Sequence, residues 1–175
     1  APASMLPAIE TRVSVKTLRA SVAARDYQEI VSYSFVDRQW EADFCANSDP
    51  VVLVNPIAEH MNVMRSSLVG SLVDCLRLNL GRQQERVRLF EIGRCFAHAA
   101  SGYQQLTMLG GLAYGGAVAE QWDAARRKVD FYDVKSDLEA LVAPRATRFE
   151  AAQHPALHPG RAAKLLLDGH QAGWL

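Results

Sequence analysis

The chain has little cysteine, no net charge and no long apolar run. Cys45, Cys75 and Cys95 form an odd set at wide spacing. That spacing excludes a disulfide framework and a Cys-x-x-Cys metal or redox pair, and the three read as reduced, partly buried thiols of a cytoplasmic protein. Lysine plus arginine and aspartate plus glutamate both number 19, so the general basic surplus of a dedicated nucleic-acid binder is missing. No apolar stretch reaches the length of a membrane span, and Ala-Pro-Ala-Ser-Met-Leu-Pro at the start has neither the basic nor the long apolar region of a secretory leader. The expectation is a protein with no membrane partner. Internal repeats and low-complexity segments are also absent. What is present is 175 residues, 49% of them hydrophobic and 22% charged, an ordinary composition for one folded domain.

Hydrophobic periodicity supplies the elements. Val15, Leu18 and Val22 predict an amphipathic helix over 11–24, and the aromatic and β-branched run 27–35 predicts a half-buried strand. Residues 38–50 are polar enough for one short helical turn, and Val51 to Val54 reads as a short buried strand stopped by Asn55-Pro56. Leu68, Leu72, Leu76 and Leu80 recur every four residues and give the clearest helix, with Ser66 or Ser67 as N-cap and Gly81 as the closing C′ glycine. From Arg86 to Phe96 the apolar residues change phase between Leu89 and Phe90, which predicts a strand with a bulge or kink near Gly93. A return strand, Leu106 to Tyr114, follows a Ser101-Gly102 turn; Gly110 and Gly111 within it mark a close backbone approach or a bulge. After an insert over 115–128 that carries Trp122, Phe131, Val134, Leu138 and Leu141 predict a second amphipathic helix ended by Pro144. Strands at 147–151 and 162–167, a tight Asp168-Gly169 turn and a last strand complete the chain. Helices and strands do not alternate strictly, so the fold class is α+β with a mostly antiparallel sheet flanked by helices. Gly173-Trp174-Leu175 falls inside what reads as a strand, and the whole reads as one module of something longer.

Chemistry-bearing patterns are few. His154 and His158 have the spacing of two zinc ligands on a helix, but Pro155 and Pro159 exclude a helix and no glutamate follows His154. They read as a rigid loop whose imidazoles bond to backbone. Ser66, Ser67 and Ser71 lack a Gly-x-Ser-x-Gly elbow, and the Gly-Gly pairs match no phosphate-loop or dinucleotide fingerprint. No catalytic residue and no metal ligand is assigned. Charge is more uneven than its sum: Arg65, Arg77, Arg82, Arg86, Arg88 and Arg94 face only Asp74, Glu85 and Glu91 in the same stretch. Arginine forks suit phosphate or carboxylate, so the segment is a candidate recognition surface; the plainer reading is pairing with acidic neighbours.

Several ordered blocks resemble the bacterial phenylalanyl-tRNA synthetase β subunit. They are Tyr27-Gln28-Glu29-Ile30-Val31-Ser32-Tyr33-Ser34-Phe35-Val36, Asn55-Pro56-Ile57, Met64-Arg65-Ser66-Ser67-Leu68-Val69-Gly70-Ser71-Leu72 and Arg88-Leu89-Phe90-Glu91-Ile92-Gly93-Arg94-Cys95-Phe96. Val129-Asp130-Phe131-Tyr132-Asp133-Val134-Lys135-Ser136-Asp137-Leu138-Glu139 and His158-Pro159-Gly160-Arg161-Ala162-Ala163 continue the series. The resemblance implies residues 1–10 as a linker from a preceding domain and 11–175 as a domain like a class II synthetase catalytic core, truncated at its C-terminus. It further implies that 11–35 corresponds to a dimerisation motif and 64–96 to a strand-loop-strand ATP motif. In that family this domain is non-catalytic; the α subunit activates phenylalanine with ATP and Mg2+ and charges the tRNA. The implied partners are the α subunit, in an (αβ)2 heterotetramer, and phenylalanine tRNA through the whole enzyme. Arg94 is followed by Cys95-Phe96-Ala97-His98-Ala99-Ala100, with no second arginine and no carboxylate, so no adenylate formation and no cofactor is expected of this chain. Arg65, Arg77 and Arg94 become candidate subunit-interface or tRNA-facing groups. Two alternatives stand beside this reading: an RNA-binding module working through 65–94, and an independent ATP-dependent ligase of the same fold.

Overall fold

The computed structural model of the chain describes residues 13–100, 102–123 and 126–175. The linker expected over 1–10, the start of the first helix and Ser101 of the predicted turn lie outside them. Elements run in the order α1 (Val15–Ala23), β1 (Gln28–Glu29), β2 (Phe35–Val36), α2 (Arg38–Cys45), β3 (Val63–Met64), α3 (Val69–Gly81), β4 (Val87–Ala99), β5 (Gly102–Tyr114), α4 (Phe131–Val142), β6 (Thr147–Ala151), β7 (Ala163–Leu167) and β8 (His170–Trp174).

A thirteen-residue hairpin is the frame. β4 and β5 pair antiparallel without interruption from Val87↔Tyr114 to Ala99↔Gly102, so the bulge expected near Gly93 does not exist. The apparent change of phase has another cause: both faces of β4 are covered. Val87, Leu89 and Cys95 point to α3 and pack with Leu68 and Leu72. Phe90, fully buried, points to the opposite side with Ile92 and meets Val22, Tyr27 and Leu141 from α1, the following turn and α4. Each face keeps a period of two, and their sum reads as a slip. Gly110 on β5 answers for the other half of the α3 packing. A Cβ there would come within 2.9 Å of Leu68 Cβ and 3.0 Å of Leu72 Cδ1, the close approach expected of this glycine.

The run 27–35 is not one strand. Gln28 and Glu29 pair parallel with Leu89 and Phe90, whereas Phe35 and Val36 pair antiparallel with Met64 and Val63; between them the chain changes partners. Val51 to Val54 makes only a single bridge, Val52↔Val63, and exposes Val52 and Val54, so the buried strand expected there is corrected to an edge loop. The predicted single turn after Asp37 is a full eight-residue helix, α2, capped by the Asp37 carboxylate on the Gln39 N–H at 2.8 Å. In α3, the Ser67 hydroxyl accepts from Val69 N at 3.2 Å while Ser66 turns away. Gly81 is the last helical residue, and the left-handed position belongs to Gln83 (φ 61°). α4 begins with a reciprocal capping box between Asp130 and Asp133, which satisfies two otherwise unpaired backbone donors. β6, β7 and β8 form a separate antiparallel sheet, with Asp168 (φ 49°) and Gly169 (φ 80°) both left-handed in the β7–β8 turn, as a tight two-residue hairpin needs. The result is α3 on one side of the β1-β4-β5 sheet, α1 with α4 on the other, and the smaller sheet beyond. Among the described residues no helix is long and apolar enough to cross a membrane.

Candidate functional site

The segment singled out by its arginines divides into an inward half and an outward half. Arg65 directly follows β3, and its backbone ties that strand to two others: its N–H donates to Ser34 O at 3.0 Å and its carbonyl accepts from Phe96 N at 2.9 Å. The side chain then runs across β4 on the α3 side. Nε donates to the Arg94 carbonyl at 3.1 Å, Nη1 to Ser32 Oγ at 2.7 Å and Nη2 to Glu91 Oε1 at 2.8 Å. Ser32 Oγ in turn donates to Glu91 Oε2 at 2.7 Å. Arg65 is 2% and Glu91 3% exposed. Gly93 is what makes room, since a Cβ there would overlap the Arg65 guanidinium. This is a closed, neutralised pair that staples residues 32–34, β3 and β4 together. Arg65, expected among the interface or tRNA-facing groups, is buried in this chain, with its charge met by Glu91.

Glu41 is a second buried carboxylate. It accepts from Ser66 N and Asn47 Nδ2, both at 2.8 Å, and from the Ser66 hydroxyl, so Ser66 anchors α2 to the loop before α3. On the opposite face of β4, Arg88 donates to Asp137 Oδ2 at 3.3 Å and to Ala117 O at 3.0 Å, and Tyr27 Oη donates to the same Asp137 oxygen at 2.8 Å. Burial and the neighbouring Asp137 carboxylate push the Tyr27 phenol well above its ordinary range. Arg86 is held by Asp26 Oδ2 at 2.6 Å and the Gly116 carbonyl at 3.2 Å. Three of the six arginines in the segment are thus structural, and 65–94 is not one basic surface.

Arg77, Arg82 and Arg94 remain outside; Arg82 is exposed just past α3 and makes no ion pair among the described residues. Arg77 lies on the exposed face of α3, 3.9 Å from Asp74 one turn back, a separation worth little in water. Arg94, exposed on the far half of β4, donates to Gln105 Oε1 at 2.9 Å across the hairpin. No hydrogen bond or ion pair joins the side chains of Arg65, Arg77 and Arg94 among the described residues. Cys95 to Ala99 add no carboxylate beside Arg94, and the described residues contain no cluster of three His, Cys, Asp or Glu side chains. Cys95 is buried and its thiol is pushed up to about 11 by that burial, which leaves it unreactive.

The histidine loop takes the form expected of it. His154 Nδ1 accepts from Ala156 N at 3.2 Å and His158 Nδ1 from Gly160 N at 3.1 Å. Partial burial pulls the His154 pKa down; the Trp174 ring lies tilted against it at 4.9 Å. Protonation would also convert its acceptor nitrogen to a donor. A folded pKa below the unfolded value means that the unfolded chain binds more protons, so this contribution is complete above about pH 6.5 and fades as the pH falls below it. Thermal melts between pH 7.5 and 5.5 should show Tm dropping by up to about 3 °C. His154→Asn, which keeps an acceptor for Ala156 N, should flatten the drop; an unaltered profile would remove His154 as its source.

This arrangement of a mostly antiparallel sheet between helices has the fold of class II aminoacyl-tRNA synthetases. Two pyrrolysyl-tRNA synthetase structures from Desulfitobacterium hafniense superpose with TM-scores of 0.59, at 13% and 15% identity, covering 94% of this chain and 56% and 59% of theirs. More specifically, residues 3–175 match the family described as the phenylalanyl tRNA synthetase beta chain CLM domain, and the chain belongs to that family. Similar curated proteins include the phenylalanine–tRNA ligase beta subunits of Burkholderia pseudomallei strain 1710b, 54% identical over 95% of this chain, and of Aromatoleum aromaticum, 56% identical over 98%. The chain spans 22% of the length of each.

Proposed function

We propose that this chain is the non-catalytic, synthetase-like module of a phenylalanyl-tRNA synthetase β subunit. In this reading residues 11–175 form a core that packs against the catalytic α subunit of a cytoplasmic (αβ)2 enzyme attaching phenylalanine to its tRNA with ATP. The observation that carries it is a set of apolar side chains left uncovered by the described residues. Val31 is 91%, Tyr33 66%, Val54 94% and Ile57 76% exposed, all on the segments that flank the β2–β3 pair. Apolar residues gathered in this way on a folded domain mark a surface built to be covered. The family supplies the occupant, and the closed Arg65–Glu91 pair supports a structural rather than a catalytic part. Arg77 and Arg94, exposed and weakly held, are with Arg82 the arginines of the segment left for the α subunit or tRNA.

Co-purification tests this with full-length β and tagged α subunit. Val31→Asp with Tyr33→Asp should reduce recovery of the complex roughly tenfold or more, since apolar anchors carry most of an interface's energy. Arg77→Glu with Arg94→Glu should reduce it less. Recovery at the wild-type level by the first pair overturns the assignment of this surface.

A further inference from the structure

We propose that the loop His154 to Arg161 is a docking point for the phosphodiester backbone of RNA, a contact that rests on the tRNA-ligase reading above and places one point of it on this module.

The loop is a tandem repeat too short to register as one: His154-Pro155-Ala156-Leu157 followed by His158-Pro159-Gly160-Arg161. Each copy closes the same turn. Leu157 N donates to His154 O at 3.0 Å and Arg161 N to His158 O at 2.9 Å, while in each copy the imidazole Nδ1 accepts the N–H two residues on. Proline removes one backbone donor and fixes φ in both, and Ala152 N donates to Ala162 O at 3.1 Å across the base of the loop. A loop tied this often loses little freedom on binding a ligand.

The imidazoles are oriented as a consequence. A neutral ring whose Nδ1 accepts must carry its proton on Nε2. Both rings therefore present an N–H donor on the edge away from their own turn, and neither Nε2 has a partner among the described residues. Arg161 is exposed and makes no ion pair among them. Lys164, three residues on, lies over the Trp174 ring at 5.5 Å, the ring against which His154 is tilted. The nearby carboxylate, Glu150, faces Lys164 across the β6–β7 pair but is engaged by Arg148 at 3.1 Å. Two neutral donors on a tied loop that also carries an exposed guanidinium are a set for an anion with several acceptor oxygens. Pro155, His158, Pro159, Gly160 and Arg161 are all exposed, which suits a backbone phosphate of a long ligand met at the surface.

The two kinds of donor give different signatures at pH 7.5. Arg161 carries charge, so Arg161→Ala should weaken binding of a tRNA transcript to the assembled α–β enzyme about fivefold to tenfold and reduce the slope of log K against log salt by about 1. His158→Asn keeps a side-chain acceptor for Gly160 N and removes only a neutral donor. It should weaken binding by a smaller factor and leave the slope unchanged. Arg145→Ala, which removes an exposed cation paired with Asp168 at the other end of the β6–β7 pair, is the control and should bind as wild type. Filter binding from 50 to 300 mM salt reads all three. If wild type binds and both loop variants keep its affinity and slope, this docking point is overturned while the ligase reading stands; if the wild-type enzyme binds no transcript, both fall.

Discussion

Glu91→Ala is expected to cost about 3–5 kcal/mol of folding stability, because it strips the counter-charge from an arginine that cannot reach water. Arg65 would keep its bonds to the Arg94 carbonyl and Ser32 but would hold a buried cation with no anion beside it. The Ser32 hydroxyl would also lose its acceptor. Removing the whole pair is a different experiment: Arg65→Met with Glu91→Leu exchanges two ions for apolar groups of similar reach, and most of the loss should return. Asp74→Ala, which breaks the open Arg77–Asp74 pair, should stay within about 0.5 kcal/mol of wild type. Urea denaturation at pH 7 measures the set. A cost under about 1 kcal/mol for Glu91→Ala would mean that the pair opens to solvent and is not the staple described.

That pair shows where the sequence is readable and where it is not. Arg65, Glu91, Gly93 and Arg94 all stand in the blocks that resemble the synthetase family, and their charges are visible there. Glu91 counts only against a local surplus, since nothing in one dimension shows a glutamate on β4 meeting an arginine 26 residues earlier. Gly93 is legible as special but for the wrong reason: the missing side chain clears a guanidinium and bends nothing. The same limit explains the false phase change in β4. Alternation identifies a strand with one wet face, and this one has α3 on one side and α1 with α4 on the other. α3 and α4 are legible because each keeps its apolar residues on one side over three turns. α2 shrinks to a single turn in the sequence because its inward residue is the carboxylate Glu41, which pattern reading places outside. Asp37, an N-cap residue ahead of Gln39 and Asp43 four apart on one face, is the signal available. Val51 to Val54 fails in the opposite direction, an apolar run that reads as core while its members Val52 and Val54 are exposed.

The second large effect is expected from Gly115→Ala. Gly115 ends the hairpin with φ 88°, where a residue with a Cβ costs about 1–2 kcal/mol. Steric overlap costs more: the new Cβ would collide with the Glu85 carbonyl oxygen and lie 3.0 Å from Arg86 Cα. Both are backbone atoms, so no rotamer change relieves them. The chain around Gly115 would have to move, and its connections determine what moves with it. The Gly115 carbonyl accepts from Val129 N at 2.9 Å, and Ala117 N donates to Arg127 O at 3.0 Å, so the base of the insert and the entry to α4 shift together. Arg127 is also bidentate to Asp133 at 2.6 Å, and its hydrogen bonds hold the Asp133 carboxyl down to about 2. A total loss of about 3 kcal/mol or more follows when the strained backbone and the displaced packing are combined. Gly169→Ala separates the dihedral cost from the collision. Its φ is 80°, but a Cβ there meets nothing within 4 Å, so only the conformational cost of about 1–2 kcal/mol should appear. Equal losses for the two variants would show that Gly115 is required for its dihedral angle alone and that the turn into the insert is not locked against Glu85.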